Sequence, residues 1–250
     1  PIRRGARLRR LAGLTILASS IAVGAGRADA GGECNPYYPL AAKARWVFLD
    51  STSEATVKLR RTVTVESVQS SDGVTTAQLG QTVSGGAEAG TAVGAATTTA
   101  RCTNGAIELV VKGSAGGGAS NPAGTVTATL AGLPPADQLQ TGFSWRSEGS
   151  IVTSQDGSTI TTRVVRGSRV DGTFPVTVPA GTFAKALRIL SVQTMTLRLS
   201  DGDHQSKQEI VEWYVRGLGL VKRETRIGAS SDPVASAEEL AEYSGVTPAP

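Results

Sequence analysis

The chain is poor in the residues that most often carry chemistry. Its 250 residues include one histidine, one methionine and two cysteines, and aromatic residues make up only 4%. A Ser-His-Asp triad would have to use His204, which follows Asp201-Gly202-Asp203 at an expected hairpin tip. No G-x-S-x-G nucleophile elbow is present. Zinc needs a cluster of His, Cys and carboxylate ligands, which one histidine and two cysteines do not supply. Asp201 and Asp203 begin a calcium-loop spacing, but the later ligands and the bidentate Glu are missing. There is no Walker A lysine motif, and no pattern pairs two carboxylates for glycoside hydrolysis. Few aromatics also weaken sugar stacking and single-strand nucleic-acid binding. The reading is a non-enzymatic protein with no catalytic residue, no metal ligand and no cofactor.

Charge is unevenly placed. Residues 1–10 carry five arginines, an apolar run follows from Leu11 to Ala25, and Ala28-Asp29-Ala30 closes the segment. A basic stretch, a short apolar stretch and an A-x-A site form the pattern of a secretory signal peptide, with cleavage expected after Ala30. About fifteen apolar residues fall short of the roughly 20 that cross a bilayer comfortably. No stable membrane span is expected after cleavage, and the product is expected in the periplasm, on the cell surface or outside the cell. The formal net charge of +4 largely belongs to this segment, because residues 31–250 carry 19 basic and 20 acidic side chains. The basic balance therefore implies no nucleic-acid partner. In an exported chain the two cysteines, Cys34 and Cys102, most simply form one disulfide. Its 69-residue loop corresponds to about 4 kcal/mol in the chain-entropy picture.

Residues 31–230 read as a single all-β domain, an antiparallel meander forming a curved sheet or half-barrel with little helix. From Thr56 to Gln69, Val57, Leu59, Arg61, Val63 and Val65 alternate with Lys58, Arg60, Thr62, Thr64 and Glu66. That is the two-residue period of a strand with one wetter face. Asp72-Gly73, Asn104-Gly105, Asp156-Gly157 and Asp201-Gly202 each separate two such runs and predict hairpins. Two stretches, Ser84 to Ala96 and Gly113 to Gly124, lack large apolar side chains and read as loops. In residues 231–250, Ser236 and Glu239 have capping-box spacing, so this end reads as a short helix or a disordered tail.

The stretch EWYVRGLGLVKRE, Glu212 to Glu224, reads as strand, bend, strand, with Gly217 and Gly219 at the bend. A phosphate cradle would need a helix after the glycines, and VKRETRI is not one. Because Glu212 shares its strand face with Tyr214, that face is expected to be wet and Trp213 to point inward. Trp46, Trp145 and Trp213 each fall in an expected strand. They are core residues or, if the sheet encloses a pocket, the side chains that line it.

Three stretches together carry a resemblance: NPYYPLAAKARWVF (Asn35 to Phe48), VPAGTFAKALRI (Val178 to Ile189) and EWYVRGLGLVKRE. An early YYPL with a W-x-F, a P-A-G-T-F strand and W-Y-x-x-G-x-G-L-V-K resemble a group of poorly characterised exported bacterial proteins. These are β-rich half-barrels distantly similar to lipoprotein-carrier (Lol-type) folds. The resemblance implies a partner that is an apolar small molecule or lipid, held on the concave face of the sheet. The alternative is an envelope-associated structural or protein-interaction domain.

Overall fold

Residues 34–53, 58–85, 92–115, 124–155, 158–199, 202–228 and 231–249 are described in a computed structural model. They form twelve strands and, among the described residues, no α-helix. In chain order the strands are β1 (Arg45–Thr52), β2 (Leu59–Ser71), β3 (Val74–Ser84), β4 (Ala92–Thr103), β5 (Ala106–Ala115) and β6 (Gly124–Ala131). The second half holds β7 (Ser144–Gln155), β8 (Ser158–Val178), β9 (Gly181–Leu199), β10 (Gly202–Val215), β11 (Gly219–Ile227) and β12 (Ser236–Ser244). Each pairs antiparallel with its neighbour in sequence, and β12 pairs with β1. The expected meander is present, and it closes into a barrel instead of stopping at a half-barrel. Closure removes the exposed edges of an open sheet.

The closing strand corrects the reading of residues 231–250. SAEELAEYS has helix-forming residues and a capping-box spacing, yet it is β12, held by β1 on one side and β11 on the other. Two ladders outweigh the weak preference of nine residues for a helix. The residues after it also dock. Val246 packs on the core, and Ala249 N–H donates to the Arg216 carbonyl at 2.8 Å. The signal-like segment 1–30 lies outside the described residues, as do 86–91 and 116–123 of the two loop-like stretches. Strands β4, β5 and β6 run into the flanks of those stretches.

Turn chemistry follows the sequence where it is described. Asp72 and Gly73 have φ of 51° and 75°, and Asn104 and Gly105 have φ of 49° and 81°. Two consecutive positive values are what a type I′ hairpin requires. Asp156, Gly157 and Asp201 lie outside the described residues.

The two ends of the barrel differ. At one end lie the β2–β3, β4–β5 and β10–β11 turns, the 132–143 connection and the segment from Cys34 to Leu40. Cys34 and Cys102 are disulfide-bonded, with Cα atoms 6.1 Å apart. The bond draws the N-terminal segment across this end, where a closed barrel has no sheet edge for it to follow. Asn35 is buried; its Nδ2 donates to the carbonyls of Gly105 (2.8 Å) and Pro134 (3.0 Å), and its Oδ1 accepts from Tyr37 N–H. Gly217 N–H donates to the Pro36 carbonyl at 2.7 Å. The side chain of Asn35 thus ties the segment to two loops, and Tyr38 packs against both apolar clusters of the core. At the far end, each of the six connections includes residues outside the described set.

The β8–β9 hairpin is longer than the rest, and bulges at Val170/Gly172 and Phe174/Val176 bend it. Its tip folds onto β12, where Ala180 N–H donates to the Leu240 carbonyl at 3.0 Å. Val176, Val178 and Ala186 there join a cluster with Val221 and Leu240.

Candidate functional site

Alternation along the strands decides which side chains reach the lumen. A cavity of about 310 Å³ lies inside the barrel. One side is apolar: Val63 of β2, Leu79 of β3, Leu109 and Val111 of β5, and Leu130 of β6. Trp46 and Phe48 of β1 and Trp145 of β7 also line it, and Tyr38 and Pro39 from the N-terminal segment close one end. Trp46 is fixed by its indole N–H, which donates to the Leu218 carbonyl at 2.8 Å.

The opposite wall is charged. Arg166 Nη2 contacts Glu212 Oε2, and Arg223 Nε donates to Glu212 Oε1 at 2.9 Å. Arg223 Nη1 donates to Glu238 Oε2 at 3.1 Å, and Glu238 Oε1 contacts Arg61 Nη2. Arg61 Nε then donates to Asp50 Oδ2 at 2.9 Å, with its guanidinium 4.7 Å over the Phe48 ring. Three cations and three anions thus alternate across β8, β10, β11, β12, β2 and β1. Taking such charges out of water is costly, and only their mutual pairing offsets it.

The titration of these groups reflects that balance. Burial acts to raise the Glu212 carboxyl, but Arg166 and Arg223 outweigh it and bring it from 4.5 to about 2. At Asp50 burial prevails over Arg61, and its carboxyl is held above the usual range. Burial pushes the Tyr38 hydroxyl up to about 12 and raises that of Tyr214 as well, with Glu212 adding to the latter. Both hydroxyls therefore remain protonated donors.

Of the three tryptophans expected to line a pocket, Trp46 and Trp145 do so and Trp213 does not. The face assignment in β10 is reversed. Glu212 is 1% exposed and Tyr214 is buried, whereas Trp213 is half-buried on the outer side. There Trp213 packs on the cluster under the β8–β9 hairpin, with Lys222 Nζ 5.5 Å from its ring centroid. A glutamate reads as a wet residue only while its partners are unknown, and here two arginines from other strands compensate it. The bend itself is as expected: Gly217 and Gly219 have φ of 76° and 94°. His204 is exposed on β10, away from the cavity lining.

Arg61 is the signal that sequence reading had in hand. It sits on the apolar side of the β2 alternation, between Leu59 and Val63, and a charge in that phase marks an interior partner. A second, shallower depression lies on β7–β11 over Gly167, bordered by Arg146, Arg169, Glu209 and Arg226. Those arginines already have carboxylate neighbours in Glu148, Asp171 and Glu224.

No protein-family model matches the chain, and no curated protein matches it. Two crystal structures do. One is a "putative exported protein with YmcC-like fold" from Bacteroides fragilis, with a TM-score of 0.61 and 15% identity, covering 84% of this chain and 100% of that one. The other is a "putative lipoprotein" from Parabacteroides distasonis, with a TM-score of 0.61 and 16% identity, covering 84% of this chain and 99% of that one. The chain is similar to both in its β-rich fold, and at these identities the likeness concerns the fold alone.

Proposed function

We propose that the chain is an exported, non-catalytic domain that holds an apolar or amphiphilic small molecule in the barrel lumen. The observation that carries this reading is the cavity. At about 310 Å³ it lies at the lower end of the roughly 300–1,000 Å³ typical of ligand pockets, with an apolar side and a few convergent polar groups. Export is supported by the order of basic, apolar and A-x-A segments at residues 1–30 and by the descriptions of the two fold neighbours. The lumen is chiefly apolar while the outer surface bears charges such as Arg146, Glu148 and Arg163. That is the reverse of a lipid-embedded barrel, whose apolar band faces outward.

At the far end, Leu59, Ile160 and Ile227 are exposed, yet all three share the strand phase of lumen-facing residues.

The test uses Trp46 and Trp145 as reporters. Octanol and octanoate are titrated while tryptophan emission is followed, in the parent, in a Val63→Phe/Val111→Phe double variant and in an outward Val192→Phe control. The parent and control should respond alike, and the filled variant should bind at least about tenfold more weakly. An absent response, or equal affinity in all three folded proteins, would overturn the reading.

A further inference from the structure

The polar side of the lumen narrows the ligand class, on the premise that the lumen is a ligand site. Its charges are already matched. Arg166, Glu212, Arg223, Glu238, Arg61 and Asp50 pair in sequence, three cations with three anions. Every member of that chain has an opposite charge beside it. An ionic head would therefore give up its hydration without gaining a free counter-ion. The unmet groups are neutral. Tyr38 and Tyr214 line the cavity, and among the described residues neither hydroxyl has a protein partner. Neither is sealed inside the protein as the Arg166 Nε is, so each stays open to a molecule in the cavity. Tyr214 is only 7% exposed, and Tyr38 lies close enough to act on its hydroxyl. The two hydroxyls thus share one region of the lumen. A ligand seated over them leaves two buried polar groups unmet unless its head hydrogen-bonds to them.

We propose that the lumen takes an uncharged amphiphile whose head presents a neutral oxygen acceptor, an alcohol or a carbonyl. The head is seated at Tyr38 and Tyr214, and its chain runs along Val63, Leu79 and Val111. A neutral oxygen accepts from the two hydroxyls without bringing a charge into a wall that is already balanced. A purely apolar molecule leaves the hydroxyls unmet, and an ion of either sign meets only occupied partners. At water's share of about 30 Å³ per small group, the cavity holds roughly ten non-hydrogen atoms, about the size of octanol.

Calorimetric titration near neutral pH compares octanol, octanoate, octylammonium and ethylbenzene against the parent, Tyr38→Phe and Tyr214→Phe. The parent should bind octanol about tenfold more tightly than either ion, each of which still enters by its chain. At least one of the two variants should bind octanol about fivefold more weakly, the worth of one neutral hydrogen bond. The same variant should bind ethylbenzene, which has no polar head, as tightly as the parent does. Octanoate or octylammonium binding as tightly as octanol overturns the proposal and leaves the lumen reading standing. So does octanol affinity unchanged in both folded variants, or an equal loss for octanol and ethylbenzene. Absence of binding by all four compounds overturns the lumen reading itself. If Tyr214→Phe does not fold, Tyr38→Phe and the comparison of octanol with the two ions still decide.

Discussion

Glu212 is the most deeply buried member of the ion-pair chain, and its replacement tests whether that chain holds the barrel together. The side chain is buried between Arg166 and Arg223, from β8 and β11. Glu212→Gln keeps the shape but removes the charge, leaving Arg166 without its carboxylate partner and Arg223 with Glu238 alone. Breaking a buried pair in this way costs about 3–5 kcal/mol. The pH dependence gives a second measure. The carboxyl falls from 4.5 to about 2 on folding, which corresponds to about 3 kcal/mol. Because the folded value is the lower one, this contribution is complete above pH 4.5. It is lost progressively as the pH falls toward 2. For a domain of this length that is a drop in Tm of roughly 6–12 °C. Thermal unfolding followed by far-ultraviolet circular dichroism at intervals from pH 7 to pH 2 is the assay. The parent should lose stability steeply between pH 4.5 and 2, and Glu212→Gln should start lower and lose less over that interval. Parallel curves for the two proteins, or a variant as stable as the parent at pH 7, would refute the reasoning.

Replacing Cys34 and Cys102 together by alanine should lower stability by about 2–4 kcal/mol in urea unfolding, since the bond closes a long loop and anchors the N-terminal segment. Gly217→Ala should cost more than Gly73→Ala. Both glycines have φ near +75°, but a Cβ at 217 would lie 2.3 Å from the Thr247 carbonyl oxygen while one at 73 meets open space. Equal melting temperatures would show that residues 246–249 yield freely. Tyr214→Ala should destabilise by about 3–5 kcal/mol, close to other buried aromatic truncations, and Trp213→Ala by less. The opposite order, read by chemical denaturation, would restore Trp213 to the interior.

Much of the meander was legible because its determinants are local. The alternation through Leu59, Arg61, Val63 and Val65 places β2 and its inward face correctly. Asp-Gly and Asn-Gly specify turns that the described hairpins adopt. The cysteine pair needed only an even count and the expectation of export. What stayed hidden depends on distant partners. The strand character of SAEELAEYS comes from pairing with β1 and β11, far away in the chain. Bulges that skip Glu66, Val221 and Ala241 shift the side-chain phase by one residue, and simple alternation does not foresee them. The inward turn of Glu212 required Arg166, Arg223, Glu238 and Arg61 to be placed on one wall, and that follows only from the closed barrel. The three tryptophans were read as core or pocket-lining residues, and the charged wall was not foreseen.

The central claim is that a small molecule sits inside the barrel, and the most direct measurement is its contact with named methyl groups. Protein with ¹³C-labelled Leu and Val methyls is mixed with octanoate, and intermolecular nuclear Overhauser effects are recorded. Transfer should connect the octanoate chain to Val63, Leu79, Val111 and Leu130, which face the lumen, and not to Val192 and Val211 on the outer surface. Transfer confined to Val192 and Val211, or none to the four lumen methyls at saturating octanoate, would contradict the account.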